Sequence, residues 1–216
     1  MFRKDLQVEL RTRYALGSVL LFAVTTLVAV SAALGATRAS ADVKAALLWI
    51  VLLFAALSGL SRVFVREEEA GTAPLLRLSA PATAVYAGKW LLNMALVFAV
   101  EAVSVPLFLL VLPPASVNFR LLLGVLLLGG VGLSGAATFV AALIAQASSG
   151  KSALFFIVAF PTLLPLLLIA VQGTVGAFDA VPSHHARARA DLGLLTTYGI
   201  VMTTASFLLF EYIWHD

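Results

Sequence analysis

Cysteine is absent from the 216-residue sequence, and charged residues make up only 12% of it. The absence of cysteine excludes disulfides, thiolate metal sites and cysteine nucleophiles. The scarcity of charge argues against a soluble domain, in which about a quarter of the residues are charged. The sequence also offers no Ser-His-Asp set, no paired carboxylates and no zinc-binding helix motif, so we do not expect an enzyme.

Hydrophobic residues, by contrast, make up 62% of the chain and are concentrated in six long apolar stretches. A helix that crosses a bilayer needs about 20 such residues. Each stretch reaches this length, and the first is too long for a cleaved signal peptide. The sequence therefore predicts one all-α transmembrane domain over residues 1–216, with spans at 15–34, 45–65, 86–112, 121–145, 153–175 and 192–214.

Lysine and arginine are unevenly distributed between the two sides of the predicted bundle. Nine lie on the side that holds the N-terminus and five on the other. Because the positive side of a membrane protein is normally cytoplasmic, both termini are predicted to be cytoplasmic. Trp49, Tyr86 and Trp90 lie towards span ends, as aromatic residues of the membrane interface do. The formal net charge is only +3, without a dense basic stripe, so we expect no nucleic-acid partner.

Residues 1–13 form a short leader before the first predicted span. Phe2, Leu6 and Leu10 recur at a spacing of four, and charges occupy many of the other positions. This pattern is typical of a helix that lies in the interface plane of the membrane. The alternative is an ordinary solvated N-terminus with flanking charges.

The segment between the second and third predicted spans is the most informative one outside the membrane. Its acidic run is followed by Gly71, which breaks the helix, and by Pro74, which suits the first turn of a new one. The pattern predicts a short cytoplasmic helix that docks into a groove on a soluble partner. A loop that only keeps its charges in water is an equal alternative. The candidate docking residues are Arg66, Glu67, Glu68, Glu69, Gly71, Pro74, Leu75, Leu76 and Arg77.

Two glycine motifs resemble nucleotide-binding sequences without the context that such sites need. Gly130, Gly132 and Gly135 fit G-x-G-x-x-G, yet they lie inside an apolar span with no preceding strand. We therefore expect these small residues to allow close packing of helices. Gly150 and Lys151 resemble the end of a P-loop, but an alanine stands where its first glycine is required. Any ATP hydrolysis must then take place in a partner.

Glu101 is the one acidic residue well inside a predicted span. An intramembrane carboxyl group is costly, which makes it a functional candidate by default. It could be protonated, or it could pair with Asn93 or Gln172 across helices. A purely structural hydrogen bond within the bundle is an equal alternative.

The fifth predicted span and the loop after it hold the remaining candidates. Pro161 and Pro165 each remove a backbone donor from the span, which predicts a kinked helix. His184 and His185 lie in a loop that is predicted to face outward, over residues 176–191. Neighbouring side chains point in different directions and rarely reach one ion, so we predict no metal site there.

Five stretches of the sequence together resemble one family over essentially the whole chain. They are KDLQVELRTRY, LSRVFVREEEAGTAPLLRLSAPATAVYAGKWLLN, LLLGGVGLSGAATFVAAL, FPTLLPLLLIAV and FLLFEYIWHD. The second and fourth carry most of the specificity. The pattern is similar to that of the CcmB family, the membrane subunit of the ABC-type complex in cytochrome c maturation. This family commonly has a glutamate soon after the loop glycine, where the present chain has Pro74.

The resemblance implies a six-helix permease of the ABC-2 exporter type in the bacterial inner membrane. It implies an ATPase subunit, CcmA, that binds the loop through Arg66, Glu67, Glu68, Glu69 and Gly71. Further implied partners are CcmC, CcmD and the haem chaperone CcmE, with two copies of the chain per complex. No firmly bound cofactor is implied: ATP would act through the partner, and haem would be cargo.

The implied function is to couple ATP hydrolysis by a partner to haem export or to the release of haem-loaded chaperone. Two alternatives stay open from the sequence. One is an ABC-2 permease for a lipid, drug or polysaccharide, which would share the fold and differ in cargo. The other is a membrane assembly scaffold that transports nothing.

Overall fold

A computed structural model describes residues 14–34, 39–60, 81–145, 151–179 and 182–215 of the chain. Within these ranges the regular structure is entirely α-helical, which confirms the predicted fold class. The six helices are α1 (Tyr14–Leu34), α2 (Ala41–Leu60), α3 (Ala82–Val111), α4 (Phe119–Ala145), α5 (Lys151–Phe178) and α6 (Pro182–His215).

Four stretches among the described residues are long and apolar enough to cross a membrane. They are Ala82–Val111, Phe119–Ile144, Ile157–Phe178 and His185–Glu211, and α1 contributes a shorter apolar stretch, Leu21–Ala33. Large apolar side chains such as Leu110, Phe119 and Ile157 point outward from the bundle. This is the arrangement that a helical bundle adopts when lipid is its solvent, because the backbone groups are satisfied within each helix.

Helix α4 occupies the centre of the bundle and packs against α2, α3, α5 and α6. Its middle is built from small residues, and Ala136 and Ala137 are completely buried there. Small side chains allow neighbouring helices to approach closely, which is how helices associate in lipid without a hydrophobic driving force. The expected packing role of the glycine-rich stretch is therefore confirmed.

Helix α6 begins at Pro182, whereas the predicted apolar span begins at residue 192. The prediction of an outward loop over residues 176–191 is therefore wrong, since α5 continues to Phe178 and α6 already includes His184 and His185. Proline suits the first turn of a helix, and the alternating alanines that follow are strong helix formers. A search for apolar stretches does not detect a polar helical turn of this kind.

The connection between α3 and α4 is tied to the ends of two other helices. The backbone N–H of Asn118 donates to the carbonyl oxygen of Ala177 at 2.8 Å. Lys44 Nζ, near the start of α2, donates to the carbonyl oxygen of Pro113 at 2.6 Å. Asn118 also caps α4, because its side-chain oxygen accepts from the N–H of Leu121. One end of the bundle is thus held together by hydrogen bonds between helix ends.

Two predicted features lie outside the described residues. The interfacial helix was predicted over residues 1–13, and the short cytoplasmic helix was predicted within residues 62–78. The chain is described again from Pro81, whose extended backbone, with φ −66° and ψ 148°, leads directly into α3.

Candidate functional site

The predicted docking residues lie outside the described part of the chain, but the helix that they lead into is well placed. They are Arg66, Glu67, Glu68, Glu69, Gly71, Pro74, Leu75, Leu76 and Arg77. Only a few residues separate this segment from α3, whose first described turns are buried at Ala82 and Val85. The first described turn of α3 is therefore already packed inside the bundle.

An aromatic cluster joins the beginning of α3 to the end of α6. The ring of Tyr86 packs edge-on against Phe207 with ring centroids 4.8 Å apart, and it lies 5.0 Å from Phe210. Trp90, one turn further along α3, also meets Phe207 edge-on at 6.2 Å. Such tilted and edge-to-face aromatic pairs stabilise a contact beyond the area they bury. The first turns of α3 are therefore packed against the last turns of α6.

Two aromatic residues that the sequence places towards span ends face the inside of the bundle. The side chains of Trp49 on α2 and Tyr86 on α3 are fully buried. Trp49 Nε1 donates to Thr174 Oγ1 on α5 at 2.8 Å, and the Tyr86 hydroxyl points to the carbonyl oxygen of Gly135 at 3.4 Å. A buried indole or phenol needs a hydrogen-bond partner, and here neighbouring helices supply one. The nearby small residues of α4 are the one sequence signal that favours burial.

Asn93 links α3 to α4 through its side-chain amide. Its Nδ2 donates to Thr138 Oγ1 at 2.8 Å, and the Thr138 hydroxyl in turn donates to the carbonyl oxygen of Ser134 at 2.6 Å. The suggested pairing of Asn93 with Glu101 is therefore wrong, because both residues lie on α3 and Asn93 bonds across to α4. Thr138 is a hydrogen-bond partner that the sequence did not single out.

The carboxyl group of Glu101 is buried inside the bundle without a hydrogen-bond partner at Oε1. Only 6% of the residue is exposed. It lies against Gly130 of α4, where an added Cβ would come within 2.8 Å of Oε1. The suggested pairing with Gln172 is also wrong, since Gln172 is exposed on α5 and no hydrogen bond joins it to Glu101.

Two more side-chain oxygen atoms on α3 are buried without a hydrogen-bond partner. Ser104 lies three residues after Glu101, on the same side of the helix, and its buried Oγ has no partner. The side-chain Oδ1 of Asn93 is likewise buried and unpaired. Unpaired buried oxygens are uncommon, and they mark places where a proton, water or ion completes the site. The polar side of α3 is therefore the part of the described bundle with the most unmet bonding capacity.

The two predicted kink residues lie inside α5, and both are exposed. The hydroxyl of Tyr198, on α6, donates to the carbonyl oxygen of Thr162 at 2.7 Å, between Pro161 and Pro165. Neighbouring hydroxyls commonly satisfy carbonyls near a proline in a membrane helix. Tyr198 thus joins α5 to α6 at the level of the two prolines.

The two histidines belong to the first turn of α6. His185 Nε2 donates to the carbonyl oxygen of Asp179 at 2.8 Å, which closes the short link from α5 to α6. Among the residues that the structure describes, no three histidines or carboxylates come together as metal ligands. His185 therefore acts as a helix-end contact in the described arrangement.

Comparison with models of protein families identifies the family of the chain. The model of the family described as "CcmB protein" matches residues 1–210, which is nearly the entire chain. The match includes the segment before α3, the polar side of α3 and the aromatic cluster. A comparison with curated proteins finds no match.

Proposed function

Since the chain belongs to the CcmB family, whose members are ABC-type permease subunits of cytochrome c maturation, we propose that it couples ATP hydrolysis by a partner to haem export or to the release of haem-loaded chaperone. The observation that carries the proposal is the extent of the family match, which reaches from the leader to the last turns of α6. The chain would supply the membrane-spanning part, and ATP would be hydrolysed in the partner.

The proposed complex contains the ATPase CcmA together with CcmC, CcmD and the haem chaperone CcmE. Two copies of the chain would pair with the ATPase subunits in the bacterial inner membrane, with both termini in the cytoplasm. Haem is cargo in this proposal and is not a resident cofactor of the chain.

The contact with the ATPase is assigned to residues 62–78. Glu67, Glu68 and Glu69 form a run of negative charge that a basic groove on the ATPase would recognise. The apolar side of the short helix that follows, with Leu75 and Leu76, would fill the groove. Charge then sets the orientation of the contact, and apolar burial supplies most of its free energy.

Movement would pass from this contact into the bundle through α3. The helix begins directly after the docking segment, and Tyr86 is packed between Phe207 and Phe210. A pull on the segment would therefore shift α3 and the end of α6 as a unit. The two positions of α3 and the end of α6 would then form a two-state element. ATP would favour one of the two positions, because the partner closes when it binds ATP.

Charge reversal tests the proposal. We expect Glu67, Glu68 and Glu69, all replaced by lysine, to abolish co-purification with CcmA and the maturation of cytochrome c, while the chain still inserts into the membrane. A triple glutamine variant separates loss of charge from reversal and should show an intermediate loss. Asp42→Lys, at an exposed carboxylate in the first turn of α2, is the control and should retain both activities. Normal maturation in the triple lysine variant would contradict the proposed contact.

A second measurement separates the proposal from the two alternatives. The chain is purified with its ATPase, and CcmE loaded with haem is added with and without ATP. We expect ATP to accelerate the release or transfer of haem-loaded CcmE. A scaffold would give no response to ATP, and a permease for another cargo would hydrolyse ATP without any effect on CcmE.

A further inference from the structure

The polar side of α3 contains a carboxyl group with no use in the proposed coupling. Glu101 lies ten residues before the end of α3, about 15 Å of helix from that end, and so at depth within the span. Its Oε1 is buried without a partner, and the Oγ of Ser104, on the next turn, is buried without one as well. A charged carboxylate in such a place would be strongly disfavoured, because nothing replaces its lost hydration.

Gly130 of α4 defines the space that the carboxyl group occupies. A Cβ at this position would lie 2.8 Å from Glu101 Oε1 and 2.9 Å from the ring of Phe98. Glycine is therefore the residue that lets the backbone of α4 close over the carboxyl group. The carboxyl group therefore lies in the contact between α3 and α4.

No cation of the neighbouring helices neutralises this carboxyl group. In α1, residues 15–34 include no charged side chain, and the charges of α2 lie near its start, where Lys44 donates to Pro113. Arg120 of α4 is exposed and precedes Gly130 by ten residues, or about 15 Å of helix. No ionisable side chain described on α3 or α6 forms a hydrogen bond with Glu101 Oε1. These side chains are Tyr86, Lys89, His185, Arg187, Arg189, Asp191, Tyr198 and Glu211.

We propose that Glu101 is a proton-binding site inside the bundle, occupied while α3 packs on Gly130 and emptied only when water enters between α3 and α4. A bound proton turns the carboxylate into a neutral acid whose O–H can donate to a neighbouring oxygen. The unpaired Ser104 Oγ lies one turn away on the same side of α3 and is a candidate acceptor by its position along the helix. The inference does not depend on ATPase coupling, because it concerns the chain alone.

A hydrophobic carbodiimide tests the proposal on the wild-type chain in detergent and lipid. The O–H of a carboxylic acid adds across one C=N bond: the oxygen bonds to carbon, the proton moves to nitrogen, and the O-acylisourea rearranges to a stable N-acylurea. The reagent therefore labels only the protonated acid, and an exposed carboxyl group is almost entirely ionised at pH 7. We expect Glu101 to be labelled at least about tenfold faster than the exposed Asp42. Peptide mass spectrometry gives both rates from one sample.

Three controls tie the labelling to the folded site. Unfolding the chain in SDS should reduce the Glu101 rate to that of Asp42, since water then reaches both. Gly130→Ala should slow the labelling by displacing the carboxyl group, whereas Gly193→Ala, whose Cβ meets nothing within 4 Å, should not. In infrared spectra, the carboxylic acid C=O band should be present in the wild type at pH 7 and absent from Glu101→Gln.

Two outcomes would overturn the proposal. Equal labelling of Glu101 and Asp42 at pH 7 would show that the buried carboxyl group is ionised. Suppression of Glu101 labelling by sodium at constant pH, without suppression by potassium, would be the second such outcome. It would show that the site binds a metal cation in place of a proton. Failure of the ATPase contact would change neither result, so the two proposals are tested separately.

Discussion

The substitution Gly129→Ala tests the packing at the centre of the bundle. A Cβ at this position would lie 2.3 Å from Cη2 of Trp49, 3.0 Å from Cζ2 and 3.2 Å from Cζ3. The indole cannot easily withdraw, because it is fully buried and its Nε1 is bonded to Thr174 on α5. Relief therefore requires α2 and α4 to separate or the tryptophan to leave its position.

The magnitude follows from two opposing contributions. Overpacking a filled core costs typically about 1–3 kcal/mol, and a contact this short belongs at the upper end of that range. Alanine in place of a helical glycine recovers up to about 1 kcal/mol. We therefore expect Gly129→Ala to lower the free energy of unfolding by about 2 kcal/mol.

Gly193→Ala is the matched control, since its Cβ meets nothing within 4 Å and only the helix-propensity gain remains. Unfolding in mixed micelles of increasing SDS content, measured side by side, should separate the two variants by about 3 kcal/mol. Adding Trp49→Phe to Gly129→Ala should recover part of the loss, because the shorter ring lacks the atoms that collide. Equal stability of the two alanine variants would refute the close approach of α2 and α4.

The remaining predictions concern single contacts. Thr138→Val should lower the free energy of unfolding by about 0.6–1.7 kcal/mol, since it removes the acceptor of the Asn93 amide; the same SDS titration measures it. Tyr86→Phe should cost less than about 1 kcal/mol, because its hydroxyl contact is long at 3.4 Å. Phe210→Ala should cost about 3–5 kcal/mol and should uncouple α3 from α6, seen as increased hydrogen exchange at the beginning of α3. Lys44→Met should raise exchange in the α3–α4 connection and leave the beginning of α3 unchanged.

The helices were largely predictable from the sequence, because apolar stretches of spanning length have few other stable conformations. The bounds of α4 illustrate this: the predicted stretch begins two residues after Phe119 and ends with the helix at Ala145. Helix α6 was harder, since its first ten residues are polar or small and form a helix by propensity. Apolarity detects the part of a helix that lies in lipid, and it does not detect a polar helical turn beyond it.

The residues of the candidate site could be identified from the sequence, but their hydrogen-bond partners could not. Glu101 was singled out by its charge inside an apolar stretch, and the structure places it at a buried position. Its neighbour Gly130 was assigned to packing alone, although the space it leaves is the one the carboxyl group fills. Asn93 was suggested as a partner of Glu101, yet the two residues lie eight positions apart on α3, and Asn93 bonds to Thr138 of α4 instead. Which residue of α4 faces Asn93 depends on the rotation of α3 about its axis. A single sequence does not specify that rotation.

The hydrogen bonds around the α3–α4 connection give α3 a fixed end. Its last turn is anchored beside Lys44 and Asn118, while its first turn follows Pro81, a few residues after the proposed docking segment. The helix has 30 residues and is therefore about 45 Å long. A swing of about ten degrees about the anchored end would carry Ala82 roughly 8 Å sideways and Glu101 only about 3 Å. The geometry is that of a lever: under the proposed coupling, a large displacement at the beginning of α3 would become a small separation of α3 from α4 at Glu101.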